Sequence, residues 1–315
     1  MNFSSMEYFI ILAQERNFTR AAERLHITQQ SLSAHIAGME KELGCRLFVR
    51  HIPLELTYAG EVMLRYAADF QKDHENLLRE FSDISQNQKG ILRVGTSTTR
   101  GQILLPETII SFRKKHPNIQ VDMMEASNDK LQQELLKGTI DIAIADFPKS
   151  LSGIVLQDFY YEEIVLLMEK KFFALTFGKN SEKCRQQFAR GDFSALKDCP
   201  LVLGGRETID GRLGLEVMKQ YGIDEPIIPA RSNNSVILLK LAIQGVGGCF
   251  CPDYIVEAAL TQKQKESLLM FSLGEKSRFP IRFGYKESSY KWSVIEDFMD
   301  CFQKGTSGKN ILSIN

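Results

Sequence analysis

The sequence predicts an α/β protein in which a separate helical segment precedes a larger domain. Three patterns support this prediction: short amphipathic helices within residues 1–50, one long helix over 58–88, and alternating strands and helices from residue 91 onward. The length of 315 residues exceeds the ~250–300 residues at which single cores stop growing, so two or three modules are expected.

Composition and charge narrow the functional classes. With 43% hydrophobic and 25% charged residues, the chain can form packed cores. Apolar runs stay below the ~18 residues of a membrane span and the start has no export signal, so a cytoplasmic protein without membrane contact is expected. Six scattered cysteines favour buried, reduced thiols over disulfides or zinc ligands, and no cofactor is implied. The formal net charge is 0, so a DNA-binding function must rest on arrangement rather than on a basic excess.

The first segment is predicted to form three short helices. Apolar residues recur at helical spacing from Met6 to Ala13, and a second helix begins near residues 17–19 with small alanines on its inner side. Thr28 has the chemistry of a helix N-cap, and Gly44 is placed to end the third helix. The apolar stripe of this third helix consists of Leu32, Ile36, Met39 and Leu43.

The side of the third helix away from this stripe carries small and amide side chains. They are Gln30, Ser31, Ala34 and Lys41, with Gln29 and Ser33 on the flanks. In the major groove of DNA, glutamine can pair with adenine, serine can reach bases or phosphates, and alanine can contact a thymine methyl group. The pattern favours a helix-turn-helix, although three short helices with a merely solvated polar face have the same periodicity.

The stretch FTRAAERLHITQQSLSAHIAGMEKELGCRLFVR, followed by LTYAG, strongly resembles the N-terminal domain of LysR-type transcriptional regulators. The resemblance implies a winged helix-turn-helix over residues 1–58, with a recognition helix that starts at Thr28. The residues expected to contact DNA are Thr28, Gln29, Gln30, Ser31, Ser33, Ala34, Arg50 and His51.

Two positions depart from the family pattern. Ala34 stands where members often carry an arginine in the recognition helix, and Pro53 stands where they often carry a wing arginine. Both departures remove contacts to phosphates or bases, and a good base contact contributes ~1–3 kcal/mol of discrimination. Modest affinity per half-site is therefore expected. Arg50 or His51 would substitute in the wing, with a solvated His51 as the alternative.

The long helix carries an apolar seven-residue repeat, consisting of Met63, Phe70, Leu77 and Ile84. Such a repeat forms a seam for another helix, which is either a helix of a second copy or the chain's own domain. The resemblance implies that residues 59–89 form a linker helix that joins the chains into a homo-oligomer, a dimer or a tetramer. Two linked helix-turn-helix units would then reach paired half-sites.

The remainder alternates strands and helices, which predicts a mainly parallel sheet. A helix near the end, within 279–302, is expected to return to the first part of the domain. The predicted strands are 91–94, 119–123, 140–145, 164–168, 201–203, 227–228 and 249–250.

This domain, residues 90–305, resembles the two-lobed, periplasmic-binding-protein-like effector domain of the same regulators. Lobe I is expected at about 90–161 and 266–305, and lobe II at about 162–265, with 306–315 as a tail. Residues 174–190 fit the resemblance least well and are interpreted as a family-variable insertion.

The segment GTSTTRG, residues 95–101, is placed where a strand passes into a helix, the usual position of ligands in open α/β sheets. Ser97, Thr98, Thr99 and Arg100 are candidate ligand-binding residues, and they would hold a carboxylate, sulfate or phosphate. The alternative is that the hydroxyls cap the helix and Arg100 is solvated. Further candidates that rest on the resemblance are Asp146, Gly204, Arg206 and the segment 227–232. Because Asp146 is acidic, a cationic or zwitterionic effector is an alternative to an anionic one.

These observations and the resemblance predict a transcriptional regulator that binds double-stranded promoter DNA and a small-molecule effector, with RNA polymerase as a further partner. The alternative is a solute-binding protein without DNA function. The sequence contains no nucleophile elbow, HExxH motif or phosphate loop, so an enzyme is not expected. The peroxide-sensing branch of the family has a cysteine where this chain has Gly205-Arg206-Glu207, which disfavours redox sensing.

Overall fold

Residue contacts divide the chain into two units. The structure, a computed structural model, describes residues 3–49, 53–85, 88–287 and 290–307. The first unit spans Met1–Asn87 and the second spans Gln88–Asn315. The long helix therefore belongs to the first unit.

The first unit consists of three short helices, a two-stranded hairpin and one long helix. Its core is formed by side chains such as Phe9, Leu12 and Ile36, each with 0% exposure. The two strands pair antiparallel, with Phe48 opposite Leu56. The elements are α1 (Phe3–Glu15), α2 (Phe18–Arg24), α3 (Gln29–Leu43), β1 (Phe48–Val49), β2 (Glu55–Leu56) and α4 (Tyr58–Ile84).

Local capping explains where the short helices begin and end. The Asn17 side chain accepts hydrogen bonds from the first turn of α2 at 2.9 and 3.1 Å, and the Thr28 hydroxyl accepts one from the Ser31 amide at 3.1 Å. Gly44 ends α3 with a φ of 68°. Two details differ from prediction. Leu43 was assigned to the apolar stripe of the third helix but is 40% exposed, because it lies in the last turn. The long helix α4 ends at Ile84 rather than near residue 88.

The second unit contains the alternating strands and helices. All of the predicted strands except 227–228 coincide with observed strands. At that point Ile227 only accepts a backbone hydrogen bond from Leu201, and the strand begins at Ala230. The elements are β3 (Gly90–Thr96), α5 (Thr98–Lys115), β4 (Ile119–Glu125), α6 (Asn128–Lys137), β5 (Ile142–Ala145), β6 (Ile154–Glu169), α7 (Lys170–Phe177), α8 (Ser181–Ala189), β7 (Leu201–Leu203), α9 (Ile209–Gln220), β8 (Ala230–Arg231), α10 (Ser235–Ile243), β9 (Gly248–Pro252), α11 (Asp253–Ala259), α12 (Gln262–Glu266), β10 (Leu268–Ser272), β11 (Arg278–Lys286) and α13 (Ser293–Ser307).

The sheet of this unit is mixed, so the prediction of a mainly parallel sheet is wrong. The strand order is β4-β3-β5-β11-β6-β9-β7-β8, and β10 also pairs with β6. β3 is parallel to β4 and β5, and β7 is parallel to β8 and β9. Every pair that contains β6 or β11 is antiparallel, because these strands return from one lobe to the other without a crossover helix.

β6 passes between the two lobes. Its first part, up to Glu163, pairs with β11, and its second part, from Ile164, pairs with β9 and β10. Only the second part was predicted as a strand. β10 also pairs with this second part, and the next strand, β11, pairs with the first part and with β5.

The helix that follows β11 packs on the first helix of this unit. α13 packs on α5, where the rings of Phe298 and Phe112 lie 5.4 Å apart edge to face. The segment 174–190 forms most of α7 and α8, and its Phe177 and Phe188 are buried in the lobe II core. This segment is therefore an integral part of that lobe.

The six cysteines are free thiols. Burial raises the pKa of Cys199 to about 12 and raises the pKa of Cys249 further, so these thiols stay protonated. Cys45 is exposed and Cys301 is half-buried, so the prediction of buried thiols is wrong for these two. Every helix in the described part of the chain is too short or too polar to cross a membrane.

Candidate DNA-binding surface and effector cavity

The side of α3 that the sequence assigned to DNA is accessible. Gln29, Gln30 and Ala34 are exposed, and Ser31 and Ser33 are half-buried. Within the described residues, the amides of Gln29 and Gln30 and the hydroxyl of Ser33 make no hydrogen bond to the protein. Their donors and acceptors are therefore free to pair with another molecule.

A buried carboxylate fixes α3 to the hairpin. Glu40 is 5% exposed and accepts hydrogen bonds from the Leu47 amide at 2.9 Å and from Arg46 Nη1 at 2.8 Å. Burial alone would raise the pKa of Glu40, but these hydrogen bonds hold it below the ordinary value. Glu40 lies within the stretch that resembles the family, but its role as an anchor was not predicted, because its partners follow the end of the helix.

The hairpin formed by β1 and β2 corresponds to the predicted wing. Pro53 is exposed in the turn between the strands. Arg50 and His51 lie outside the described residues, so their DNA contacts stay predictions.

The second half of α4 presents an apolar face. Met63 is buried in the core of its own unit, whereas Phe70 and Leu77 are each 48% exposed and Ile84 is 71% exposed. An apolar groove of about 590 Å³ lies beside the first turns of the helix, between Leu43 and Tyr66. Further exposed apolar side chains on the helix are Tyr66, Leu78 and Phe81.

The second unit contains a cavity of about 280 Å³ at the carboxyl ends of β3 and β4. Helix starts surround it: those of α5 and α6 from lobe I, and those of α9, α10 and α11 from lobe II. The lining residues are Ser97, Thr98, Thr99, Arg100, Ala126, Ser127, Asn128, Glu162, Glu207, Thr208, Ile209, Asp210, Asn233, Ser235, Pro252, Tyr254 and Ile255.

The structure brings together the predicted lobe I residues but not those assigned by resemblance. Ser97 to Arg100 line the cavity. Among the described residues the lining excludes Asp146, Gly204 and Arg206, and lobe II contributes Glu207 to Asp210 instead. Gly204 packs against Gly211, and Arg206 is exposed. Burial raises the pKa of Asp146, with the charge of Arg212 opposing.

Arg100 is neither solvated nor free for a ligand anion, which corrects both expectations. Its side chain is 4% exposed and forms a bidentate ion pair with Glu162, itself 2% exposed, with Nη2–Oε distances of 2.9 and 3.0 Å. Arg100 Nη1 also donates to Ser97 Oγ and to the Ile144 carbonyl, each at 3.2 Å. Burial alone would lower the pKa of Arg100, but the Glu162 charge keeps it above its usual value.

Lobe II contributes acidic groups that sequence reasoning missed. Asp210 is 4% exposed, and it accepts hydrogen bonds from Ser235 Oγ at 2.7 Å and from the Gly211 amide at 3.0 Å. Glu207 accepts one from Asn233 Nδ2 at 2.7 Å. The sequence signal was weak, since an acidic residue in the first turn of a helix usually serves the helix dipole alone.

Both units match protein families. Residues 3–61 match "Bacterial regulatory helix-turn-helix protein, lysR family", and residues 85–307 match "LysR substrate binding domain". The second match covers well over half of the chain, and the chain therefore belongs to the family of LysR-type transcriptional regulators, with a helix-turn-helix and an effector-binding domain.

Individual relatives and solved structures agree with this assignment. The chain is similar to a "Probable RuBisCO transcriptional regulator" of Cyanidium caldarium, with 30% identity over 240 residues, which is 74% of this chain and 72% of the relative. A protein of the same description from Trieres chinensis is 30% identical over 264 residues, or 81% and 82% of the two chains.

Two solved structures show the same fold. A full-length OxyR variant from Pseudomonas aeruginosa has a TM-score of 0.66 at 22% identity, covering 100% of this chain and 98% of its own. Full-length CbnR complexed with its target DNA has a TM-score of 0.59 at 22% identity, covering 97% and 100%. The predicted fold class, a winged helix-turn-helix with a linker helix and a two-lobed domain, is confirmed.

Proposed function

We propose that this LysR-type regulator reads promoter DNA by inserting α3 into the major groove. The observation that carries the proposal is the unpaired state of the Gln29, Gln30 and Ser33 side chains on an anchored helix. Amide and hydroxyl groups in this position can pair with base edges without first breaking a bond within the protein. Thr28, Ser31 and Ala34, together with Arg50 and His51 in the wing, complete the proposed surface.

Substitutions on α3 test this proposal. Gln29→Ala and Ser33→Ala should each weaken binding to the DNA upstream of the protein's own gene by about tenfold, because a good base contact contributes ~1–3 kcal/mol. Gel shifts and footprints measure the effect, with circular dichroism to verify folding. Gln133→Ala, an exposed glutamine on α6, is the matched control and should leave the footprint unchanged. A footprint that both α3 variants leave intact would exclude α3 as the recognition helix.

We further propose that the apolar face of α4 joins a second copy of the chain, as a dimer or within a tetramer. The support is the row of half-exposed side chains at seven-residue spacing, which a partner helix would cover. Two linked units multiply weak half-site contacts through effective concentration.

Solution mass tests the oligomer. Leu77→Glu introduces a charge into the centre of the proposed seam and should produce monomers with weaker promoter binding. Gln71→Glu adds the same charge to an exposed position about 120° around the helix, and it should leave the oligomer intact. A wild-type protein that is monomeric at micromolar concentration would contradict the seam.

The cavity of the second unit is the proposed effector site, where binding without chemistry shifts the population of two arrangements of the oligomer. Contact with RNA polymerase stays a prediction. The cytoplasmic location also stays a prediction, and the support for it is the proposed DNA target.

A further inference from the structure

We propose that the ligand of the cavity is a zwitterion, a small amino acid that places its ammonium group against Asp210 and Glu207 and its carboxylate against the start of α5. This inference rests on the proposed function of the cavity as an effector site. It follows from the distribution of charge and of unused hydrogen-bonding groups around the cavity wall.

The cationic side chain at the cavity is already neutralised. Arg100 and Glu162 both line the cavity, and their bidentate ion pair has no net charge. Ser97 and the Ile144 carbonyl occupy the remaining Nη1 donors of the guanidinium. A ligand anion would have to displace a buried carboxylate to reach Arg100, so the anionic end of a ligand must bind elsewhere.

The lobe II wall carries uncompensated negative charge. Asp210 and Glu207 line the same cavity, and within the described residues neither forms an ion pair. Their hydrogen-bond partners are neutral: Ser235 and the Gly211 amide for Asp210, and Asn233 for Glu207. Asp210 is buried, whereas Glu207 is exposed to solvent, so Asp210 is the stronger determinant. A buried carboxylate without a cation attracts a ligand cation and repels a ligand anion, and an ammonium group with three donors suits it.

The lobe I wall offers donors instead. α5 has 18 residues, and its N-cap Ser97 makes no side-chain hydrogen bond to the first turn but accepts one from Arg100. The amide groups of that turn thus remain without a cap at a positive helix end. Thr99 is 8% exposed and lines the cavity, and its hydroxyl has no hydrogen-bond partner among the described residues.

The two walls therefore demand opposite charges on one ligand. A dicarboxylate would satisfy α5 but would place its second anion beside Asp210, whereas a simple amine would leave the α5 donors and the Thr99 hydroxyl unused. The cavity volume of about 280 Å³ lies just below the ~300–1,000 Å³ usual for ligand sites, which limits the ligand to a small molecule.

Matched ligands test the proposal on the full chain. Each protein L-amino acid is compared with the 2-hydroxy acid and the primary amine that share its side chain. Thermal shift at millimolar ligand identifies binders, and calorimetry gives their affinities. We expect at least one amino acid to bind ~10-fold or more tightly than both of its analogues, because each analogue lacks one charge-assisted hydrogen-bonding group. Failure of every amino acid to bind, or a hydroxy acid that binds as tightly as its amino acid, would overturn the proposal.

Two variants test which residue contacts the ammonium group of the ligand and which contacts its carboxylate. Asp210→Asn should weaken the amino acid at least ~10-fold without weakening the 2-hydroxy acid, whereas Thr99→Val should weaken both. Glu216→Gln, on the exposed side of α9 and outside the lining, is the control. Equal losses of both ligands in Asp210→Asn would indicate a structural effect and contradict the ammonium contact.

Failure of this inference and failure of the proposed function give different results. If 2-hydroxy acids or dicarboxylates bind through Thr99 and without Asp210, the cavity is still an effector site and only the ligand class is wrong. If wild-type protein fails to bind DNA in gel shifts while amino acid binding persists, the regulatory function fails and the ligand class stands.

Discussion

The buried Arg100–Glu162 pair should be a major determinant of the stability of the effector-binding domain. Glu162→Gln retains the size of the side chain but removes its charge, so the guanidinium keeps only neutral acceptors in a position where it is 4% exposed. Breaking a buried ion pair on one side typically costs ~3–5 kcal/mol. A Coulomb estimate agrees, since two unit charges about 4 Å apart attract by ~4 kcal/mol at an effective dielectric constant of about 20.

This free energy should appear as a lower melting temperature. For a unit of ~150–250 residues, 1 kcal/mol shifts the midpoint by ~2–4 °C, so Glu162→Gln should lower it by ~6–20 °C. Fluorescence of Trp292 is a selective probe, because it is the one tryptophan of the sequence and lies buried in this domain. The exposed pair of Glu182 and Arg185 provides the control, and Glu182→Gln should leave the midpoint nearly unchanged.

A double variant separates charge pairing from general damage. Arg100→Met combined with Glu162→Leu removes both charges and should recover most of the stability that either single change loses, because a buried pair replaced by apolar groups is often neutral. The reasoning is refuted if the single variants melt like the wild type, or if the double variant is as unstable as the sum of the two.

Two further predictions concern single residues in each unit. Gly60→Ala should destabilise the DNA-binding unit, because a Cβ there would lie 2.1 Å from the Leu47 carbonyl oxygen, whereas Gly38→Ala has nothing within 4 Å and should be neutral or stabilising by ~1 kcal/mol. Hydrogen exchange in the first unit measures both, and equal protection in the two variants would contradict the contact. Burial raises the pKa of Asp253 from 3.8 to about 6. The folded state therefore binds this proton more tightly than the unfolded state, and the stability of the second unit should fall as pH rises from about 4 to 6. Asp253→Asn should remove this part of the decline in Trp292-monitored denaturation, and an unchanged pH profile would show that another group is responsible.

Features determined by neighbouring residues could be predicted from the sequence. The caps at Thr28 and Gly44 and the buried stripe of Leu32, Ile36 and Met39 all depend on contacts within a few residues, and the structure has them where the sequence predicts them. The same holds for the placement of Ser97 to Arg100 at the start of a helix beside a cavity.

Features that depend on distant residues could not be predicted. The partner of Arg100 is 62 positions away on a strand whose first half carried no recognised pattern. The antiparallel pairing of β6 with β11 brings together segments more than 100 residues apart, and neither alternation nor turn residues identify such a pair. The acidic residues of lobe II were missed because Asp210 lines a cavity only when lobe I lies opposite it in the folded domain.

The path of the chain through the two lobes also has a consequence for biosynthesis. The stretch between Ile164 and Ser272 is continuous, but the part of the domain that contains β3 to β5 also requires β11 and α13, which are translated after that stretch. The DNA-binding unit and lobe II can thus fold while translation continues. The part that contains β3 to β5 keeps its hydrophobic surface uncovered until Phe298 leaves the exit tunnel. Truncation before α13 should therefore give a chain with a folded DNA-binding unit and an incomplete effector-binding domain.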